Sequence, residues 1–512
     1  MVRLAREALR GSLWLSLGQV LAMAIGFAGS VVIARLLGPK DYGIVAISMT
    51  IPLAIYGYSD LGLSTAIIRY TAMGKYAHAR LSFLLRIASG FIASVIVFMY
   101  ASFFAELVKR PYIAPYIRLL SLYIFGFSVI DSVKSVLVGL GRYEKVAIID
   151  PVRQILRVAL SIILVLIGLG AYGVIVGQTT SSLITSILAA MLLYILLIKN
   201  KLITKTDTIK RRTNILKDII KYSLPLYLPL ALTTPLYKII EIYIARFVPS
   251  KQFGWYNAAT NVAMLLTIIG SSVETSIFSI LSSIAKNKNA LRSSIPGTVV
   301  YQAIIMIPLA LIFAGISKPL IVIIYGHSYI NASIYLSLLV LRWICSNIGS
   351  STISVYIKVI GENTLITISG ILHSIIHVAA SILLIRDYGI IGMIIAYLIA
   401  DTSSAIYYLL IGIYKYGLSI PLKKTSLITI LASSFSLALY LLNNIITNNI
   451  YLIIIGILLL EIGVSTIWYI LLIRKILSPT EFMELQEIVS SLIPPRIKPV
   501  IKKIYQILYK VY

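Results

Sequence analysis

The stretch Val31-Val32-Ile33-Ala34-Arg35-Leu36-Leu37-Gly38-Pro39-Lys40-Asp41-Tyr42-Gly43 returns later in the chain as Ile242-Tyr243-Ile244-Ala245-Arg246-Phe247-Val248-Pro249-Ser250-Lys251-Gln252-Phe253-Gly254. The two align at a constant offset, 254 − 43 = 211, and each ends a long apolar run with Ala-Arg, a proline turn and an aromatic-Gly pair. Self-similarity at such a spacing marks a duplicated structural unit. Two further matches extend it: Gly141-Arg142 with Gly361-Glu362 at offset 220, and Tyr172-Gly173-Val174-Ile175 with Tyr388-Gly389-Ile390-Ile391 at offset 216.

Working outward, apolar runs separated by charge or turn clusters cover 11–34, 44–68, 87–105, 119–140, 146–169 and 171–198 in the first copy. In the second copy they cover 222–248, 255–284, 299–325, 334–360, 365–385 and 388–414, and two more follow at 426–442 and 450–473. Runs of about 20 residues span a bilayer as helices, and backbone groups in hydrocarbon must be paired internally. The first run is 24 residues without a charge, too long for a signal-peptide core, and is read as a retained span. The fold class expected is therefore an all-α polytopic membrane protein of about 14 transmembrane helices, two six-helix repeats plus two C-terminal helices. The organisation follows: an N-lobe over 1–198, a cytoplasmic connector at 199–221, a C-lobe over 222–414, helices thirteen and fourteen over 415–473, and a tail at 474–512. The tail breaks at Pro494-Pro495 and then alternates Lys498, Lys502, Lys503 and Lys510 with Ile501, Ile504, Leu508 and Tyr509, a pattern for a basic amphipathic helix on the cytoplasmic leaflet. Six helices per copy leave both copies in the same orientation, related by an axis along the membrane normal with a cavity between them.

Composition agrees. Of 512 residues 59% are hydrophobic and 12% charged, about half the charge a soluble surface needs. The mean hydropathy is +0.95. The net charge of +27 reads as orientation signal and attraction to anionic headgroups, since no nucleic-acid motif accompanies it. Arg3, Arg6 and Arg10, Lys75 and Arg80, Arg142 and Lys145, Lys210 to Arg212, Lys286, Lys288 and Arg292, and Lys423 and Lys424 fall on one side, with the basic tail. Both termini are then cytoplasmic in a plasma or inner membrane, Asn331-Ala332-Ser333 lies outside, and Lys109 and Arg110 are the discordant pair. The lone Cys345 supports neither a disulfide nor a thiolate metal site.

The run Ala34-Arg35-Leu36-Leu37-Gly38-Pro39-Lys40-Asp41-Tyr42-Gly43 with Asp60-Leu61-Gly62-Leu63 resembles the N-terminal signature of the polysaccharide transporter family, the Wzx-like O-antigen flippase branch of the multidrug/oligosaccharidyl-lipid/polysaccharide exporter superfamily. The resemblance implies a two-lobed exporter that moves a polyprenyl- or dolichyl-phosphate-linked glycan outward. Its partners would be that substrate, membrane lipids and glycosyltransferases of the same pathway, with no nucleic acid.

An ionisable side chain at the bilayer centre costs roughly 2.5–3.5 kcal/mol on insertion scales, so those inside spans mark a site or a pair. Arg153 and Arg157 share a helical face, and 153 + 220 and 157 + 220 are His373 and His377. With Arg342 these are the candidate phosphate-binding residues. Glu274, Asp60 and Asp401 are candidate ion-coupling carboxylates; among them Glu274 lacks a cation three or four residues away. Asp131 with Lys134 and Lys238 with Glu241 have the spacing of intrahelical ion pairs. Span seven also carries Pro225, Pro229 and Pro235, each of which disfavours straight helix. His373-x-x-x-His377 has no third ligand nearby, so no metal and no cofactor are expected. No phosphate-binding Gly-rich loop and no nucleophile–base constellation appear, so the chain reads as a carrier and not an enzyme. A drug or metabolite exporter of the same superfamily is the alternative and calls for an acidic cavity. A membrane glycosyltransferase or polymerase calls for a large external loop with catalytic acids, and every external loop here is short.

Overall fold

The computed structural model describes residues 2–199, 209–231 and 234–445, and every described element is a helix. In chain order these are α1 (Val2–Ser59), α2 (Leu63–Ala72), α3 (Tyr76–Met99), α4 (Ala101–Leu107), α5 (Ala114–Gly139), α6 (Tyr143–Leu164), α7 (Gly170–Lys199), α8 (Ile209–Ala231) and α9 (Thr234–Phe247). They continue with α10 (Ser250–Ser283), α11 (Lys288–Ser293), α12 (Ile295–Gly315), α13 (Ser317–Tyr325), α14 (Ala332–Asn347), α15 (Ser350–Val359), α16 (Asn363–Leu410) and α17 (Leu422–Ile445). Among the described residues eight helices are long and apolar enough to cross a membrane, nine if the pair α14–α15, bent by 54°, counts as one. Span fourteen at 450–473 and the basic tail lie outside the described residues, as do the side chains of Arg3, Arg6, Arg10, Lys210, Arg211 and Arg212.

Three of those long helices are each interrupted at a positive-φ glycine. Gly38 (φ 71°, ψ 170°) divides α1, and Pro39 opens its second limb, where a missing N–H costs nothing. Gly170 (φ 54°, ψ −136°), which caps a short π-turn over Val165–Leu169, separates α6 from α7. Gly389 (φ 54°, ψ −128°) divides α16. The last two share a conformation that a side chain forbids, which makes them structural equivalents at 389 − 170 = 219. This corrects the register read from Tyr172-Gly173 and Tyr388-Gly389. Gly173 instead corresponds to Gly392, each set closely against the preceding helix, at Leu164 and Leu384 respectively. The 220 offset does hold where the helices start: Gly141 and Gly361 both have positive φ, and α6 and α16 begin at Tyr143 and Asn363.

Helix α3 shows how a membrane helix inverts the water-soluble pattern. Ser82, Arg86, Gly90, Ala93, Ser94 and Val97 are buried, while Phe91, Ile92, Phe98 and Met99 face outward. Lipid solvates large apolar side chains, so the helix–helix contact falls to the small and polar stripe. Along it Ser94 donates to the Ser121 carbonyl of α5 at 2.7 Å, and Ser182 of α7 donates to the Tyr123 carbonyl at 3.2 Å.

Packing divides the described chain into two compact units. The first comprises Met1–Leu265, Leu320–Leu339 and Asn363–Ser404; the second comprises Leu266–Pro319, Val340–Glu362 and the described residues from Ala405 onward. In the first unit the repeated motif meets its own copy. A Cβ on Gly43 would lie 1.8 Å from the Ser250 carbonyl oxygen, and one on Gly254 would lie 1.9 Å from that of Pro39. Since 39 + 211 = 250, the two contacts are reciprocal, as a local pseudo-two-fold requires. Gly43→Ala and Gly254→Ala should therefore each cost about 1–3 kcal/mol, by similar amounts, through backbone displacement. Thermal unfolding in detergent measures this, and an unchanged midpoint for either would show that the helices part freely there.

Contacts to the same motif account for Arg110 of the discordant pair. Arg110 donates to the carbonyls of Ala245 and, at 2.5 Å, Val248 at the end of α9. The Tyr329 hydroxyl donates to the carbonyl of Ala34, the repeat equivalent of Ala245, at 2.8 Å. Arg35 in turn donates to the carbonyls of Ile323 and, at 2.8 Å, Ile324. Helix ends leave carbonyls unsatisfied, and in a poorly hydrated setting a cation caps them well. Arg110 is thus fixed by helix capping rather than by the charge rule for loops.

Several expected spans are divided: 87–105 between α3 and α4, 299–325 between α12 and α13, and 334–360 between α14 and α15. The run 44–68 breaks at Asp60-Leu61-Gly62, where Leu61 (φ 51°) and Gly62 (φ 74°) are left-handed, so α2 is a separate helix. The connector becomes helical from Ile209. Ile215 and Ile219 pack on Leu63, Ala66, Tyr70 and Ala79, and Tyr70 donates to the Asp218 carbonyl at 3.2 Å.

Candidate functional site

Asp60 terminates α1 and caps α2. Its carboxylate accepts from the backbone N–H of Gly62 at 3.1 Å and of Ser64 at 3.3 Å, and from the Ser64 hydroxyl. The motif Asp60-Leu61-Gly62-Leu63 is therefore a capping turn. Its other partner is Arg86, whose Nε stands 3.0 Å from Asp60 Oδ1. Arg86 is 1% exposed and reaches Ser59 and Ser128 Oγ at 3.3 and 3.4 Å, with its guanidinium 5.2 Å from the Tyr56 ring centre. The cap and the Arg86 contact therefore occupy both oxygens of the carboxylate that was a candidate for ion coupling.

Sequence reasoning missed Arg86, because the apolar run was read from Ile87 and the arginine fell to its flank. A signal existed: Arg86 lies four residues from both Ser82 and Gly90, on the small-residue stripe that marks the inner face.

The cluster continues across α5 and α6. Asp131 accepts from the Tyr56 hydroxyl. Lys134 lies 3.9 Å from Asp131 but 2.6 Å from Asp150 of α6, so the pair expected along α5 is secondary to a bridge between helices. Arg153 stands 3.9 Å from Asp150 and 4.9 Å from the Phe127 ring centre. The side chains of Asp131, Lys134 and Asp150 remain 30, 25 and 29% exposed, so this ionic group borders an accessible space rather than a sealed core.

One turn further along α6, Arg157 departs from the pattern. Its Nε donates to Gln154 Oε1 at 2.6 Å and its terminal nitrogen to the Gly26 carbonyl of α1 at 3.2 Å. Both partners are neutral, and among the described residues no carboxylate lies within ion-pair distance. Asp60, Asp131 and Asp150 are matched by Arg86, Lys134 and Arg153, which leaves Arg157 as the surplus cation of the group.

The equivalent positions in α16 are built otherwise. His373 Nε2 is 3.0 Å from Asp401 Oδ1, and the His373 and His377 rings lie 5.4 and 4.6 Å from that of Tyr397. Imidazole carries charge only when protonated, so the basic pairs of the two repeats are unlike: permanent in one, conditional in the other. Among the described residues no three His, Cys, Asp or Glu side chains are grouped to hold a metal. Lys238 and Glu241 pair at 2.6 Å along α9.

Arg342 and Glu274 belong to the second unit. Arg342 lies on α14, before the break at Gly349 (φ 144°). Glu274 accepts from Ser351 Oγ at 2.6 Å, Ser351 accepts from Gln302 Nε2 at 2.9 Å, and Gln302 Oε1 accepts from Thr352 at 2.7 Å. The carboxylate with no cation three or four residues away thus ends a hydrogen-bonded chain anchored just after the bend.

Repeated bundles of interrupted apolar helices, with an ion-paired group facing an accessible interior, define a polytopic α-helical membrane protein of the exporter type. The chain belongs to the polysaccharide biosynthesis protein family, whose model matches residues 32–334. It is similar to the lipopolysaccharide biosynthesis protein WzxC of Escherichia coli (strain K12), 26% identical over 121 residues, which are 23% of this chain. The matched part spans about a quarter (24%) of WzxC. Among solved structures, the lipid II flippase MurJ in an inward closed conformation superposes with a TM-score of 0.72 at 16% identity, over 90% of this chain and 99% of that one. An inward-facing multidrug resistance MATE family transporter of the MOP superfamily gives 0.55 at 20% identity, over 80% and 96%. At these identities the likeness is one of fold.

Proposed function

We propose that this protein carries lipid-linked oligosaccharide or polysaccharide precursors from the cytoplasmic to the outer leaflet by alternating access. The observation that carries the reading is Arg157, a cation inside a span whose described partners are neutral and whose neighbours' charges are already balanced. A lipid phosphate entering through hydrocarbon needs such a group, and a planar guanidinium binds phosphate oxygens in pairs. A cationic drug would need the reverse, a surplus carboxylate, and each carboxylate of the cluster is paired. Family membership and the WzxC and MurJ resemblances support the same reading.

The direct test reconstitutes the full chain in liposomes with a fluorescent lipid-linked sugar and measures leaflet exchange under an imposed pH gradient. The wild type should respond to the gradient, and Glu274→Gln should exchange without responding, since the group that ends the Ser351–Gln302–Thr352 chain would no longer be a carboxyl. A gradient that alters neither rate removes proton coupling through Glu274. No exchange by the wild type at all overturns the function.

The orientation places both termini and the 199–221 connector in the cytoplasm and Asn331, exposed before α14, outside. In a chain with Cys345 replaced, a cysteine at position 331 should react with an impermeant thiol reagent in intact cells and one at 210 should not. Labelling at 210 reverses the topology.

A further inference from the structure

A cavity of about 320 Å³ opens in the first unit where the ends of α2, α3, α5 and α7 meet. Phe83, Leu84, Leu140, Leu193 and Leu197 wall it, with Thr71 and the exposed Arg80 also in its lining. It lies apart from the Asp150–Arg157 face and takes no part in the cluster described above.

Three features of this groove point to a ligand with an anionic head and an apolar tail. Thr71 is 5% exposed, yet its hydroxyl has no hydrogen-bond partner, although a helical threonine ordinarily bonds back to a carbonyl. Helix α3 begins with Lys75 at its N-cap, no capping side chain and no acid in its first turn, followed by Arg80. Cations at a helix N-terminus oppose the dipole, whereas a phosphate there is bound by the dipole, the free N–H groups and both side chains together. Arg80 is exposed and faces no carboxylate among the described residues. The groove is also short. From Tyr76 to Leu84 α3 rises about 12 Å, inside the roughly 15 Å of one leaflet's hydrocarbon.

We propose that this groove is a binding site for an acidic glycerophospholipid of the leaflet facing Lys75 and Arg80. One acyl chain lies between Leu84, Leu140 and Leu193, the ester region reaches the Thr71 hydroxyl, and the phosphate sits on Arg80, Lys75 and the first amides of α3. A lipid held there ties the ends of three spans together. The single-leaflet depth suits an acyl chain better than a polyprenyl tail.

The test uses the full chain with Cys345→Ser and Tyr194→Cys, labelled with a small fluorophore at position 194, exposed beside the groove and outside its lining, in nanodiscs containing brominated phosphatidylglycerol or brominated phosphatidylcholine. Half-maximal quenching should need about fivefold less of the acidic lipid, the preference expected for one well-placed cation. Arg80→Gln should bring that ratio close to one, and Arg80→Gln combined with Lys75→Gln should leave no preference, with the circular dichroism unchanged in both. Leu193→Trp, which fills the groove, should weaken quenching by both lipids. Equal quenching in the parent chain, or a preference that survives both glutamine substitutions, overturns the site. A preference abolished by equimolar polyprenyl phosphate gives the groove to an isoprenoid tail, and overturns the phospholipid assignment.

Discussion

Arg157→Ala should reduce leaflet exchange by about ten- to a hundredfold, the equivalent of losing one charge-assisted hydrogen bond made to a phosphate. Substitution removes a guanidinium whose present partners, Gln154 and the Gly26 carbonyl, are neutral and only partly buried, so the fold should tolerate it. Arg157→Lys should recover part of the rate, because charge is kept while the planar fork is lost. Lys109→Ala is the control, a cation of the same chain outside the cluster. Complementation at equal expression, followed by the liposome assay, reads all three. Normal exchange by Arg157→Ala at equal expression would remove the phosphate role.

Arg86→Met carries the largest expected stability loss, about 2–3 kcal/mol, because Arg86 is 1% exposed and its loss leaves the Asp60 carboxylate, 30% exposed, without its cation. Asp60→Asn keeps the shape of the cap while removing the charge, so the double variant should recover much of the loss. The cycle should then return a coupling energy of at least about 1 kcal/mol. Thermal unfolding in a single detergent measures all four proteins. Additive losses would mean that the 3.0 Å approach contributes no net energy and that Arg86 acts through packing and its serine contacts alone.

These two residues also mark the limits of a linear reading. Arg157 was visible because a cation well inside an apolar run is costly wherever it points, and because the repeat paired it with His377. Its precedence over Arg153 was legible as depth, one turn further into the span; the approach of Asp150 to Arg153 alone is a second difference that the sequence did not show. Arg86 sat at the edge of its run, where a cation is cheap if it snorkels and expensive if it turns inward. Which of these happens depends on the neighbouring helix. Likewise Asp131 and Lys134 have intrahelical spacing, but the shorter partner of Lys134 came from α6.

By itself the sequence determined the class of fold, the duplication and its register at 211 and 220, since continuous apolar runs of about 20 residues cross hydrocarbon as helices and a duplicated turn keeps its glycines. It could not set the register near Gly170 and Gly389, because identical letters, Tyr-Gly, competed with identical backbone angles three residues away. Only the tertiary structure decided which charges neutralise one another, that Asp60 is a helix cap, and that Arg110 closes a helix end in the other repeat. The physical reason is one of range: burial and span length are local sums along the chain, whereas a Coulomb partner is chosen by distances of 3–4 Å between helices far apart in sequence.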